Sequence, residues 1–313
     1  MPNVTEFTAD CWSLNTHKAP LNMENARFDN MSNLNIYHDS GVLSIKASNL
    51  YAPKLNINVG LSILDVNLSN ATIDGIRLND FLYGGHAIKI NLSGLNVIGN
   101  KPTNTSRMVG SGTSQYSTIL YLDLDFELTS EVTNMSRMFS VAQMYTMSPE
   151  NLPYFPYLVN FNTSKCTDMS YMFYNSNVSA EFPTYDTSNA TNLAYMFYNQ
   201  RNPNGMHNAP AFNLEKATNL CAMFKNCTYL ENVPEYNLYN ANDINSMFAY
   251  SAVVRSNASI QNIINSFLSI RPDSPVSKNL SNLNTSSPFY GTSVSNAYYS
   301  DRLQELDDAG WTY

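Results

Sequence analysis

Thr133-Asn134-Met135-Ser136-Arg137-Met138-Phe139 recurs four more times along the chain, as Thr167-Asp168-Met169-Ser170-Tyr171-Met172-Phe173, Thr191-Asn192-Leu193-Ala194-Tyr195-Met196-Phe197, Thr218-Asn219-Leu220-Cys221-Ala222-Met223-Phe224 and Asn242-Asp243-Ile244-Asn245-Ser246-Met247-Phe248. The closing phenylalanines lie 34, 24, 27 and 24 residues apart. That period belongs to stacked units rather than to one wrapped core. A degenerate copy, Thr103-Asn104-Thr105-Ser106-Arg107-Met108, precedes them. Within each copy the apolar residues fall at i, i+3 and i+4, so Met135, Met138 and Phe139 share a face and the spacing predicts a helix of one or two turns. The Asn or Asp in second place suits an N-cap. Asn175, Asn199 and Asn226, each two residues past the Phe, suit the left-handed conformation that ends a helix.

A second piece recurs upstream of the helix motif: Pro183-Thr184-Tyr185-Asp186, Pro210-Ala211-Phe212-Asn213 and Pro234-Glu235-Tyr236-Asn237. It reads as a short strand. Nearer the N-terminus the alternation is cleaner, in Leu43, Ile45 and Ala47, in Leu64, Val66 and Leu68, in Ile88, Ile90 and Leu92, and in Leu122, Leu124 and Phe126. Three of these strands run into the turns Ser48-Asn49-Leu50, Ser69-Asn70-Ala71 and Ser93-Gly94-Leu95, so the strand-plus-turn unit begins near residue 40. A strand, a turn and a short helix in about 24 residues form one coil of an irregular leucine-rich-repeat solenoid, with strands stacked in parallel. The fold class expected is therefore an α/β solenoid of short parallel strands and one-to-two-turn helices. The Met-Phe pairs should stack as its core, and Asn side chains should bond the backbone groups that tight turns leave unpaired.

Three regions follow. Residues 39–255 are the repeat array, and residues 1–38 are an N-terminal cap or attachment arm. Residues 256–313 are a helical C-terminal cap, in which Ile260, Ile263, Ile264, Phe267 and Leu268 line one face of a helix that stops at Arg271-Pro272. Ser300 or Asp301 can open a last helix, with Leu303 and Leu306 inward and Gly310 before Trp311 at its end.

Composition narrows the function. Charged residues make up only 13% of the chain and the missing polarity comes from uncharged groups, 44 Asn and 21 Tyr among them. The net charge is -8 and no basic run could track a phosphate backbone, so nucleic acid is not an expected partner. Cys11, Cys166, Cys221 and Cys227 suggest no disulfide framework, and His17, His38, His86 and His207 lack metal-ligand spacing. No apolar run is long enough to cross a bilayer and no secretory signal opens the chain, so neither membrane insertion nor export is expected. Asp123 and Asp125 alternate with Leu122, Leu124 and Phe126 as the outward half of a strand, and Gly84-Gly85-His86 is loop punctuation. With no nucleophile elbow, phosphate loop or zinc-protease signature, neither an enzyme nor a cofactor is expected.

The Thr-Asn/Asp-Met-Ser-x-Met-Phe block resembles the BspA-like leucine-rich-repeat family of surface proteins, over roughly residues 100–250, and Ala309-Gly310-Trp311-Thr312-Tyr313 is similar to that family's closing segment. The resemblance implies an adhesion or recognition module without chemistry. The Ile263-Ile264-Asn265-Ser266-Phe267 helix ahead of Gly310-Trp311-Thr312 resembles repeats in structural proteins of phages that infect gut bacteria. That likeness implies a virion component, bound to other virion proteins or to a host surface protein or glycan. The alternative is an extracellular or cell-surface adhesin.

The candidate contact residues are those the motif leaves outward: Arg137, Tyr171 and Tyr195, one place before the second Met, and Tyr174 and Tyr198, just after the Phe. Tyr buries much area at small entropic cost, which suits contact, although the same rings could simply cover the flank of the stack. Phe7, Trp12 and Phe28 are large apolar groups in the N-terminal segment and are candidate attachment anchors.

Overall fold

A computed structural model describes residues 6–11, 21–29, 33–76, 78–80, 87–109, 117–124, 126–144, 161–178, 181–252, 257–281, 283–292 and 302–313. The chain divides into two compact units, Met1–Lys165 and Cys166–Tyr313. Among the described residues it is an α/β, repeat-like arrangement of short parallel strands with few helices.

The first unit is built on parallel pairing. Its strands are β1 (Glu6–Cys11), β2 (Leu21–Asn22), β3 (Asn33–Lys46), β4 (Tyr51–Asn67), β5 (Thr72–Ile76), β6 (Ala87–Leu92), β7 (Asn96–Val97), β8 (Ser117–Leu124) and β9 (Ala142–Met144). The main path runs β1-β3-β4-β6-β8-β9, with β2 beside β3, β5 beside β4 and β7 beside β5. The register places Ile45 opposite Val66, Val66 opposite Ile90 and Ile90 opposite Leu122. All four are buried, as the period-2 pattern predicts. Phe126 departs from that pattern: it is 50% exposed, because the strand ends at Leu124 and a 3-10 turn, Phe126–Thr129, takes over.

The turn pattern also starts earlier than residue 40. β2 pairs with Ile45-Lys46, the Met23 N–H donates to the Lys46 carbonyl, and Asn25 takes the left-handed φ of 56° that recurs at Asn49, Asn70 and Gly94. Met23 is buried and Phe28 is half-buried, its N–H bonded to the Tyr51 carbonyl. So part of the segment read as a cap or arm shares the register of the coils. Phe7 lies in β1, paired with Leu34 of β3. Trp12, Asp125, Gly84–His86, Ser300 and Asp301 lie outside the described residues.

In the second unit the repeated motif is a chain of tight turns and not a helix. The Met196 N–H donates to the Leu193 carbonyl and the Tyr198 N–H to the Tyr195 carbonyl, as in successive four-residue turns. The alternate amides leave the coil: the Leu193, Tyr195, Phe197 and Asn199 N–H groups donate to Asn219, Cys221, Met223 and Lys225 of the next. An α-helix spends its amides on carbonyls four residues back within the same segment, so a backbone that spends every second amide on its neighbour cannot be one. The left-handed positions that allow this fall at Tyr171, Tyr195, Ala222 and Ser246 and again at Asn175, Asn199, Asn226 and Tyr250. The Asn positions agree with the sequence reading, although what they end is a turn.

Asparagine supplies the local bonds. The Asn134 side-chain oxygen accepts the Ser136 N–H at 2.9 Å and its hydroxyl at 2.7 Å, and the same Asx turn recurs at Asp168, Asn192, Asn219 and Asp243. Asn134→Ala should therefore cost about 1 kcal/mol, read as a lower urea midpoint at unchanged slope. A second block also recurs: Asn67-Leu68-Ser69-Asn70-Ala71-Thr72 is echoed at 162–167, 186–191, 213–218 and 237–242. The Pro-aromatic pieces read as strands carry no strand pairing among the described residues, and the Phe212 N–H turns back to the Pro210 carbonyl at 2.9 Å. Tyr185, Phe212 and Tyr236 are nevertheless buried.

The Met-Phe column forms. Met172, Phe173, Met196, Phe197, Met223 and Phe224 are wholly buried, as are Met138 and Phe139 in the first unit. Phe173, Phe197, Phe224 and Phe248 stack with centroids 5.7, 5.5 and 5.5 Å apart and nearly parallel planes. A further rung that the motif does not announce is Phe289, 6.2 Å from Phe248, followed by Gly291 at φ 68° in the place held by Asn elsewhere. A Cβ there would lie 2.0 Å from the Tyr250 ring, so any other residue would have to displace that side chain.

Helix α1 (Asn257–Leu268) buries Ile260, Ile263, Ile264 and Phe267. The helix and the residue after it bond the last of the Pro-aromatic segments, where the Ser259, Ser266 and Ser269 hydroxyls accept the Val233, Tyr236 and Leu238 N–H groups. Helix α2 (Leu303–Asp308) ends at Gly310, φ 79°, with the Trp311 N–H bonded to Leu306 and the Gly310 N–H to Asp307, a Schellman closure.

Candidate functional site

Four of the outward residues come together. Tyr171 and Tyr195 occupy the left-handed corner of successive coils, and Tyr174 and Tyr198 follow the buried Phe three residues later. Repetition at one register brings like onto like: the Tyr171 and Tyr195 rings stack at 4.7 Å and 6°, and Tyr174 and Tyr198 at 4.8 Å and 12°. Within a coil Tyr171 leans on Tyr174 at 5.4 Å and Tyr195 on Tyr198 at 5.8 Å. The result is a panel of four half-buried rings. Each ring spends one face on its stacking partner, so the rest of its half-buried surface is what the panel can offer.

The next coils change the chemistry. Where a third ring would stand, the chain has Ala222 and Lys225, and the Lys225 ammonium lies 5.9 Å above the Tyr250 ring. Tyr250 meets Tyr290 edge-on at 5.6 Å. Neither ring was marked by the sequence reading, although Tyr290 follows Phe289 just as Tyr174 and Tyr198 follow Phe173 and Phe197. Beside the panel an Asn row continues the ladder, with the Asn199 amide donating to Asn175 and the Asn202 amide to Asn177 at 2.9 Å.

Arg137 belongs to the other unit. It is exposed and left-handed, φ 57°, in a row whose earlier members Asp80 and Arg107 form an ion pair at 2.7 Å. Phe28 lies in the first unit as well.

The electrostatics of the panel argue against a reactive group. Burial pushes the Tyr195 hydroxyl up to about 12, with the neighbouring Cys221 adding to it. Burial and then the Asp243 charge raise the Cys221 thiol, whose sulfur lies 3.9 Å from that hydroxyl. A nucleophilic cysteine needs the opposite shift. Since the fold prefers the neutral Tyr195 phenol, its contribution is whole below a pH of about 10 and is lost as pH climbs through the folded value. An ultraviolet titration should show one late phenol fewer in Tyr195→Phe than in the parent chain. Among the described residues no group of three His, Cys, Asp or Glu could hold a metal ion, and no helix is long and apolar enough to cross a membrane.

A family model described as "Mycoplasma protein of unknown function, DUF285" matches residues 143–262, a stretch that contains the tyrosine panel and the motif copies from Thr167 to Phe248. Over that stretch the chain is similar to the family. Neither a curated protein nor a solved structure matches it.

Proposed function

We propose that this chain is a non-enzymatic repeat protein, an irregular leucine-rich-repeat solenoid of BspA-like type, whose tyrosine panel contacts another macromolecule. The carrying observation is the panel itself: four half-buried rings held in register, Tyr171 on Tyr195 and Tyr174 on Tyr198. Rings ordered before contact lose little further entropy on binding, which is the property that favours Tyr in recognition surfaces. Replacing Tyr171 and Tyr195 together by Ser should abolish capture of the partner while the melting temperature moves by only a few degrees. Retention of binding by that variant would rule the panel out.

The setting we propose is a virion, with a cell-surface adhesin as the alternative. The virion reading rests on the Ile-Ile-Asn-Ser-Phe helix and the Gly-Trp-Thr ending, and it is supported by their forming one packed element: Phe267 lies against Trp311 at 5.2 Å. Mass spectrometry of particles purified from a lysed host culture should find the chain in stoichiometric amount. Finding it only in the cell-envelope fraction would favour the adhesin.

A further inference from the structure

The first unit contains an interrupted ladder. Between the residues paired as Leu92 and Leu124 and those bonded as Thr103 and Thr133, one coil runs through β7, whereas the next runs through the 3-10 turn Phe126–Thr129. A 3-10 turn offers no strand edge. β7 accordingly pairs with β5 alone. The Asn96 and Ile98 N–H groups donate to Ala71 and Ile73 on the β5 side, at 2.8 and 2.9 Å. In a parallel ladder the residue between them aims its N–H and carbonyl the other way, so Val97 presents both to the gap.

The gap is a cleft of about 300 Å3. Leu95, Val97 and Leu128 line it, and Leu95 and Leu128 are themselves buried. Lys101 spans the rim, donating to Glu127 at 3.2 Å and to Ser130 at 3.1 Å. On either side in sequence, Ile98 is 56% and Phe126 50% exposed, two of the few large apolar side chains left in water among the described residues.

We infer that this cleft binds a short extended peptide, which adds to the β7 edge as a strand and seats one apolar side chain on Leu95, Val97 and Leu128. The N–H and carbonyl that Val97 turns to the gap can be met by the backbone amides of an added strand, which favours a peptide as the occupant. The rim pairs one ammonium with one carboxylate, so its charge is already matched and the occupant carries none at that point. Stable interfaces between folded chains bury roughly 1,200–2,000 Å2. A free edge of two residues above so small a cleft cannot supply that, which excludes a second folded copy as the occupant.

The test uses the full chain and a fluorescein-labelled peptide of alternating Val and Thr, blocked at both ends, beside the same peptide with its backbone amides methylated. The unmethylated peptide should bind with little salt dependence and slow deuterium exchange at the Val97 amide. Val97→Arg, whose melting temperature is checked first, should bind about tenfold more weakly. Equal binding of the methylated peptide, equal binding by Val97→Arg, or no binding at millimolar concentration would each overturn the inference. Should Val97→Arg fail to fold, the exchange rate and the methylated peptide decide on the parent chain alone.

Discussion

Phe197→Ala is expected to lower the stability of the second unit by about 3 to 5 kcal/mol, the range for truncating a well-packed core aromatic. Phe197 is wholly buried and touches rings on all sides: Phe173 at 5.7 Å and Phe224 at 5.5 Å along the stack, with Phe182 at 4.8 Å and Phe212 at 6.1 Å across it. Its own N–H bonds the Met223 carbonyl of the next coil, so the backbone there is pinned and cannot close the cavity. The lost ring pairs, each worth about 0.5 to 1.5 kcal/mol in isolation, are contained in that range and place the cost in its upper part. Guanidinium unfolding of the variant measures the sum. Leu283→Ala is the comparison: that side chain is 85% exposed and its loss should stay within about 0.5 kcal/mol.

Trp311→Ala should cost a similar 3 to 5 kcal/mol, but with a different distribution. Trp311 is 2% exposed, stacked on Phe267, and holds the chain's last turn through its N–H bond to Leu306. The neighbouring Thr312 completes a parallel bridge with Asn279, bonding Lys278 and Leu280 on either side. In the solenoid proposed, where each repeat touches only its neighbours, damage at one end stays near that end. Hydrogen exchange should quicken over 257–281 and 302–313, while the amides of Leu193, Tyr195 and Phe197 keep their protection. Uniform loss of protection would show instead that the unit unfolds as one body.

The parallel strands, the buried Met-Phe column and the left-handed Asn positions were legible because each rests on a side-chain pattern with one physical meaning. The helix expected at each motif was not what formed. Apolar residues at i, i+3 and i+4 share a face in two successive tight turns as well as in a helix, and periodicity alone cannot say whether an amide is spent inside the coil or on its neighbour. The turns at 48–50, 69–71 and 93–95 were legible, but the echoes at 162–167, 186–191, 213–218 and 237–242 were not, because their middle residues vary and Asp186 replaces the leading Asn; the rung at Phe289 escaped because Pro288 stands where Met is usual. Of the candidate site, the four tyrosines were marked but not their stacking, since rings become neighbours only when the coil period sets them at one register. The cleft beside β7 left no trace in the motif, because it arises from a strand in one coil meeting a 3-10 turn in the next.

Hydroxyl-radical footprinting of the chain, once free in solution and once in its native assembly, asks most directly whether the panel is a recognition surface. Tyr171, Tyr174, Tyr195 and Tyr198 should be labelled in the isolated protein and protected together in the assembly, while exposed Tyr239, on another corner of the coils, is labelled in both. Equal labelling of the four rings in the two states would contradict the proposal and leave them as the packed flank of the stack.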